Sequence, residues 1–237
     1  MKKLIFFIII LSITVFISYK YSYRVYTAYL KIYYDKMHNE HALLIKLQNM
    51  YNNEKYEELN DFLKTLLIVY PGNDEFKRIG AMSYIKLNDV LKSAELLSLI
   101  EYESIKHNPI YEPLYEEIIK ALYYNGYYSD VVSFYNRNIM LHNVHTVFCY
   151  GVSLYKRERY DDSHKMLMYA KSKHLALADL DFYTGLNLER RGDHTGAIKH
   201  VKAAFDSDRS NNEYKKKLAD LYRQRNMFKE AAVILRL

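Results

Sequence analysis

From residue 39 onward, apolar residues recur with the spacing of amphipathic helices, and no segment alternates between apolar and polar positions as a strand does. No long irregular stretch interrupts this pattern. The sequence therefore predicts an all-α protein built from consecutive helices. The three prolines, Pro71, Pro109 and Pro113, fall where a predicted helix has ended or is in its first turn, in agreement with this interpretation.

The helical pattern also repeats along the chain. A column of mostly aromatic residues recurs at intervals of 34, 38, 32, 34 and 34 residues, and it consists of Tyr56, Val90, Tyr128, Tyr160, His194 and Phe228. Six residues before each of these lies a large apolar residue, namely Met50, Tyr84, Leu122, Leu154, Leu188 and Tyr222. Seven residues after the column lie Leu63, Leu97, Tyr135, Leu167, Val201 and Leu235. Such a period indicates units of two helices that stack on one another.

Residues 40–237 resemble the tetratricopeptide repeat family, whose unit is a helix-turn-helix of about 34 residues. The most similar segments are CYGVSLYKRERYDDSHKMLMYA (149–170), YTGLNLERRGDHTGAIKHVKAAF (183–205) and KLADLYRQRNMFKEAAVILRL (217–237). The resemblance implies a right-handed α-solenoid of about six units, near residues 40–73, 74–111, 112–143, 144–177, 178–211 and 212–237. The family's large aromatic residue early in the first helix is replaced by Leu43, Lys77, Tyr115, Val147, Asp181 and Lys215.

The segment GLNLERRGDHTGAIKHVKAAF (185–205) has the glycines and the Asp-His pair of a catalytic or phosphate-binding loop. In the repeat register, however, Gly185 lies where two helices approach closely, and Gly192 ends the first helix. Asp193 is placed to cap the second helix, and His194 falls in the aromatic column. The segment is therefore predicted to be a turn, since the strand and spacing of a phosphate-binding loop are missing.

The sixteen residues 4–19, LIFFIIILSITVFISY, carry no charge and are flanked by Lys3 and Lys20. As a helix they would reach about 24 Å, and flanking lysines and tyrosines can extend such a segment to both membrane interfaces. We predict an uncleaved signal anchor or transmembrane helix at residues 1–19 and a Tyr-rich juxtamembrane helix at 20–39. A cleaved signal peptide is the alternative. The predicted location is the membrane, with a single-pass N-terminal anchor and the soluble part exported rather than cytoplasmic.

Composition and motifs argue against several classes of protein. A net charge of +6 and a pI near 9.0 are too weakly basic to predict nucleic-acid binding. Cys149 is the single cysteine, so neither an intramolecular disulfide nor a cysteine-based zinc cluster can form. The pairs His38/His41 and His142/His145 lack the further ligands of a zinc site. With no catalytic or cofactor motif, we predict that the protein is not an enzyme and uses no cofactor or metal.

The resemblance implies a concave groove, lined by the first helix of each unit, that takes a protein or peptide ligand. The residues that match the family's ligand-facing positions are Tyr51, Lys86, Lys120, Tyr123, Tyr124, Phe148, Val152, Tyr155, Lys156, Phe182, Leu186 and Arg190. This aromatic and apolar strip with flanking cations suits a peptide that has hydrophobic anchors and acidic neighbours. The alternative for some of these residues is packing between helices.

The last predicted helix presents Val233, Ile234 and Leu235 without a polar helix over them, so we predict self-association or a partner at this face. The leading functional hypothesis is a membrane-tethered scaffold for protein–protein interaction or complex assembly in a bacterial cell envelope. One alternative is a cytoplasm-facing adaptor for a regulator. Another is an envelope glycan-binding or lytic protein, which would need a pair of carboxylates at a fixed separation; Glu116 and Glu189 lie several units apart.

Overall fold

A computed structural model describes the backbone of residues 2–37, 39–106, 108–137 and 143–236, and the side chains of these residues except 2–15, 35–37, 102 and 106. The described residues form α-helices joined by short connections and contain no β-strand. The all-α class predicted from the sequence is confirmed. The chain divides into two compact units, residues 1–104 and 105–237.

The first unit contains α1 (Lys2–Met37), α2 (Glu40–Asn52), α3 (Tyr56–Val69), α4 (Asp74–Lys86) and α5 (Val90–Ser98), and the short α6 (Tyr102–Lys106) follows at the division. Its core consists of buried side chains from α2, α3 and α4, namely Leu43, Leu47, Leu59, Leu63, Leu66, Phe76 and Ile79. The end of α1 joins this core through Tyr34, whose ring centre lies 6.2 Å from that of Phe62.

The second unit contains α7 (Tyr111–Tyr124), α8 (Tyr128–Arg137), α9 (Val144–Lys156), α10 (Tyr160–Ser172), α11 (Ala178–Arg190), α12 (His194–Ser207), α13 (Asn212–Gln224) and α14 (Phe228–Arg236). We call α7, α9, α11 and α13 the first helices and the others the second helices. Each helix packs on the next one along the chain, and α9 also touches α7 and α11. Leu122, Leu154, Leu167 and Val201, from the columns of large residues, are fully buried between these layers.

The turn inside each described helix pair has the same backbone geometry. A residue with positive φ stands two positions before the second helix in every pair, and these residues are Glu54, Asn88, Gly126, Glu158, Gly192 and Asn226. The second helix then begins at the column residue, which is Tyr56, Val90, Tyr128, Tyr160, His194 or Phe228. A side chain in this conformation costs about 1–2 kcal/mol. Four of the six turns carry a side chain there nonetheless, so the position in the repeat imposes the turn and glycine is not required for it.

No helix in the described part of the chain combines the length and the apolar character that crossing a membrane requires. The prediction of a membrane location with a single-pass anchor at residues 1–19 is therefore wrong. In the part of α1 whose side chains are described, Lys20, Arg24 and Lys31 interrupt the apolar residues within a few turns. The side chains of residues 1–15, which include most of the predicted span, lie outside the described residues.

Candidate functional site

Aromatic rings connect the four first helices of the second unit. The Tyr123 ring of α7 lies 5.9 Å from Phe148 of α9, and the Tyr155 ring of α9 lies 5.5 Å from Tyr183 of α11. Phe182 of α11 continues the series to α13, where the Tyr214 ring lies 4.7 Å away. Ring pairs at these distances stabilise packing beyond the area they bury. We call these six residues the aromatic row.

The position of each ring follows from the repeat. Tyr123 and Tyr155 stand five residues before the residue that begins the next helix, and each packs edge-on against it. The ring of Tyr123 lies 6.2 Å from Tyr128, and the ring of Tyr155 lies 5.3 Å from Tyr160. Tyr183 lies seven residues before Arg190 on the same helix, so both side chains project from one face of α11.

The residues predicted to line the groove differ in how deeply their side chains are buried. Phe148, Val152, Phe182 and Leu186 are buried and pack between helices, so they support the face from beneath. Tyr123, Tyr155 and Lys120 are half-buried, whereas Lys156 and Arg190 are exposed. Tyr124 is 79% exposed. Tyr51 and Lys86 belong to the first unit, where they are half-buried and exposed respectively.

Two cations lie over tyrosine rings of this face, Lys156 over a ring of the row and Arg190 over the neighbouring Tyr160. The Lys156 ammonium lies 5.3 Å from the centre of the Tyr183 ring, and the Arg190 guanidinium lies 5.1 Å from the centre of the Tyr160 ring. Within the described residues, neither cation forms an ion pair with a carboxylate. Each charge is stabilised by the electron-rich face of a ring and keeps a solvent-facing side.

Burial and hydrogen bonds set the protonation of this face. Burial raises the pKa of Tyr155 above its ordinary value, although a hydrogen bond from Arg190 acts in the opposite direction. Burial likewise raises the pKa of Tyr183, against an opposing hydrogen bond with Lys156. Burial lowers the pKa of Lys156, but the hydrogen bond with Tyr183 and the electrostatic interactions with Tyr183, Tyr128 and Glu213 together outweigh it, and the net shift is upward. At neutral pH the tyrosines are therefore neutral and Lys156 is charged.

Three carboxylates near the row have partners. Glu116 is paired with Lys120 in the same helix, and Asp179 accepts a hydrogen bond from the Tyr214 hydroxyl. Glu189 lies 2.5 Å from the Lys217 ammonium. Glu116 and Glu189 are thus each held by a cation of their own, which does not favour their use as the acid and base of a glycan-cleaving site.

The segment around Gly192 is a turn, as predicted. The φ of Gly192 is +81°, and the Asp193 carboxylate accepts a hydrogen bond from the Gly196 amide at 2.8 Å. A Cβ atom on Gly185 would lie 2.7 Å from Val201 Cγ2 and 3.1 Å from two backbone atoms of α12, which confirms the close approach of the two helices. His194 is half-buried in the aromatic column at the start of α12.

The other groups with potential chemistry are placed as follows. Cys149 is buried, and burial raises the pKa of its thiol to about 12, so a reactive thiolate does not form near neutral pH. His38 and His142 lie outside the described residues, so neither histidine pair is tested. Among the residues that the structure describes, three or more His, Cys, Asp and Glu side chains do not cluster in a geometry that could hold a metal ion.

Three apolar side chains of α14 are exposed beside the charged Lys229 and Glu230. Phe228 is 63% exposed, Val233 57% and Leu235 40%, whereas Ile234 is buried against α13 with Tyr222. A shallow depression lined by Tyr222, Lys229, Glu230, Val233 and Ile234 lies beside these residues. Self-association through this face stays a prediction.

Sequence reasoning missed Tyr160, Tyr183, Tyr214 and Asp179 as parts of this face. A signal for two of them is present: Asp179, Tyr183, Leu186 and Arg190 are spaced by four, three and four residues and so share one helical stripe. Placing that whole stripe on the face, rather than the single positions taken from the family, would have included Tyr183. Tyr160 and Tyr214 contact the face from neighbouring helices, and nothing local in the sequence indicates this.

Comparison with known proteins supports the fold. No family model matches the sequence, and no curated protein matches it. Among solved structures, a double mutant of MamA RS-1 is similar with a TM-score of 0.57 and 17% identity over 69% of this chain and 90% of that one. MamA AMB-1 has a TM-score of 0.53 and 16% identity over 69% of this chain and 88% of that one.

A third similar structure belongs to a protein whose description states the fold. YrrB, described as a TPR protein with an unusual peptide-binding site, has a TM-score of 0.53 and 11% identity over 70% of this chain and 84% of that one. At identities this low, these similarities concern the fold alone. The tetratricopeptide fold predicted from the repeats is thereby confirmed, and no function is carried over.

Proposed function

We propose that this protein is a scaffold for protein–protein interaction that binds a peptide segment of a partner on the first-helix face of its second unit. It acts by binding and not by catalysis. The observation that carries the proposal is the aromatic row, because its half-buried tyrosines, flanked by exposed cations, provide both apolar contact area and polar contacts. The peptide-binding site named for YrrB, which has a similar fold, supports the same kind of role.

Rigid presentation favours binding at this face. The rings of Tyr123 and Tyr155 are each fixed by contacts with other aromatic residues, so little side-chain freedom remains to be lost when a ligand binds. The buried residues Phe148 and Phe182 hold the helices at their present separation beneath these rings. A partner side chain can therefore bury apolar area against a surface that is already formed.

The test is photo-crosslinking from a benzophenone amino acid placed at Tyr155 of the full chain in cells. The matched control carries the same group at Tyr169, a tyrosine of α10 that is 49% exposed and lies outside the aromatic row. We expect one dominant adduct from position 155 and none of the same mass from position 169. Equal adducts from both positions, or none from position 155, would overturn the proposal.

A further inference from the structure

We infer that the partner segment is acidic: Lys156 and Arg190, held on tyrosine rings of the second unit, receive two carboxylates of a bound peptide that also anchors an apolar side chain near Tyr155. This inference rests on the proposed function and adds to it the chemical class of the ligand. It is carried by the pairing of charges on the face, by the positions of the two cations in the repeat and by their contacts with aromatic rings.

Among the described residues, no carboxylate lies in ion-pair contact with these two cations. Glu116, Asp179 and Glu189 have the partners Lys120, Tyr214 and Lys217. Glu213 adds a negative charge near Lys156 and lies, exposed, in the first turn of α13, where the helix N-terminus stabilises it. Asp179 and Glu213 keep their negative charges, but among the described residues neither is in ion-pair contact with Lys156 or Arg190, so each of these two cations can still form a direct ion pair with an incoming carboxylate.

The two cations occupy the same position in consecutive repeats. Lys156 is the last residue of α9 and Arg190 the last residue of α11, and each stands four residues before the start of the following helix. Packed helices lie about 8–10 Å apart, and an extended chain advances about 3.3 Å per residue. We therefore expect the two acidic side chains of the partner to be about three residues apart in an extended segment.

The ring contacts orient the cations for this task. A ring face attracts a cation by about 0.5–2 kcal/mol without neutralising its charge, so Lys156 and Arg190 remain able to bind an anion on their open sides. Arg190 also lies close enough to Tyr155 to oppose the rise in the pKa of its hydroxyl, so the guanidinium stands near the ring that would receive the apolar side chain. A carboxylate at Arg190 and an apolar group at Tyr155 would thus bind next to each other.

The experiment selects twelve-residue peptides from a random display library on the immobilised full chain. The dissociation constant of the most enriched peptide is then measured for three chains: the wild type, the Lys156→Glu/Arg190→Glu variant and the control variant Lys173→Glu/Lys199→Glu. Lys173, which caps the C-terminus of α10, is a matched control because its ammonium also lies over a tyrosine ring, 5.5 Å from the centre of Tyr169 and outside the aromatic row. Lys199 is an exposed lysine of α12, also outside the row. Circular dichroism of each variant shows whether the fold is retained.

We expect Asp and Glu to be enriched next to Tyr, Phe or Leu. The reversal at 156 and 190 should weaken binding by about tenfold or more, and the control should change it by less than about twofold. Crosslinking by the benzophenone at position 155 then distinguishes failure of the acidic inference alone from failure of the proposed function. A selected peptide that crosslinks there but lacks acidic residues, or binds both variants equally, overturns the acidic inference and leaves the proposed function standing. Selected peptides that do not crosslink at position 155 overturn both.

Discussion

The helix pairs α9–α10 and α11–α12 adopt the same turn from different residues. The residue with positive φ is Glu158 in the first pair, at +62°, and Gly192 in the second, at +81°. The side chain of Asp193 caps α12 through a hydrogen bond, whereas Arg159, at the same position before α10, makes no capping hydrogen bond with its side chain. The packing of the two helices thus imposes the turn geometry. The residues in the turn determine how much the turn contributes to the stability of the protein.

The same two pairs also differ where their helices approach most closely. A Cβ atom on Gly151 would lie nearest to the end of the Leu167 side chain, Cδ2 at 2.9 Å, and farther from Met166 Cβ at 3.2 Å. A Cβ atom on Gly185 would meet the stiff side chain of Val201 at 2.7 Å and the backbone of α12 at 3.1 Å. Equivalent glycines therefore differ in how much of the structure must move when a side chain is added, and this difference can be measured.

The largest effect is expected for Gly185→Ala. The added methyl group must push apart α11 and α12, and overpacking of this kind costs about 1–3 kcal/mol, more than the roughly 1 kcal/mol that alanine contributes as a better helix former. Gly151→Ala should change the free energy of unfolding by less than about 1 kcal/mol, because the Leu167 side chain can rotate away. Urea-induced unfolding of both variants makes the comparison. Equal destabilisation would mean that the two approaches are equally rigid.

An intermediate effect is expected at the turns. Gly192→Ala places a side chain in the left-handed region and should destabilise the protein by about 1 kcal/mol. Glu158→Gly makes the opposite change at the equivalent position and should stabilise it by roughly half as much, since glycine's greater freedom in the unfolded chain offsets part of the gain. The urea midpoints of the two variants should shift in opposite directions. A shift in the same direction would show that the Glu158 side chain itself stabilises the protein, beyond the cost of its backbone conformation.

The smallest effect is expected for Asp181→Asn, whose counterpart in α9 is the uncharged Val147. Asp181 accepts hydrogen bonds from His200 and Lys171. Burial raises the pKa of Asp181, but the hydrogen bonds and charges of His200 and Lys171 together outweigh it, and the net shift is downward. The stabilising contribution is present above the unfolded pKa of about 3.9 and is lost as the pH falls through the lower folded pKa.

The stability of the wild type relative to Asp181→Asn should therefore be constant from neutral pH to about pH 4 and then decrease on further acidification. We expect a difference of at most about 1 kcal/mol, because the pair is partly solvent-exposed. Urea midpoints measured for both chains across this range test it. A difference that does not vary with pH would mean that the charge of Asp181 contributes no stability and that its hydrogen-bonding shape is sufficient.

The sequence was sufficient to locate a turn wherever the residue type at that position has a conformational preference. Gly192 and Asp193 mark the turn before α12 because glycine tolerates a positive φ and aspartate caps helices. Glu54 and Glu158 hold the same positive φ in other pairs. Glutamate has no preference for that conformation, so those turns could be located only through the repeat and not through their own residues.

The sequence could predict which residues lie on the face of the candidate site, but not how deeply each side chain is buried. Lys156 and Arg190 are exposed beside the tyrosines, whereas Phe148 and Phe182 lie beneath the surface. Helical periodicity assigns a residue to a face, but the depth of a side chain depends on how closely the neighbouring helix packs against it. The contact of Tyr214 with Phe182 joins residues 32 positions apart, and no local pattern indicates such a distant pair.

The burial of Cys149 has a practical consequence for studying this protein in solution. Because its thiol is enclosed and stays protonated at neutral pH, thiol-reactive dyes will label an introduced surface cysteine far faster than this one. Cysteines placed at the exposed positions Tyr124 and Tyr169 could each carry a fluorophore in the otherwise unaltered chain. The distance between two such labels, measured by energy transfer with and without a bound peptide, would report how far the helices of the second unit move when the partner binds.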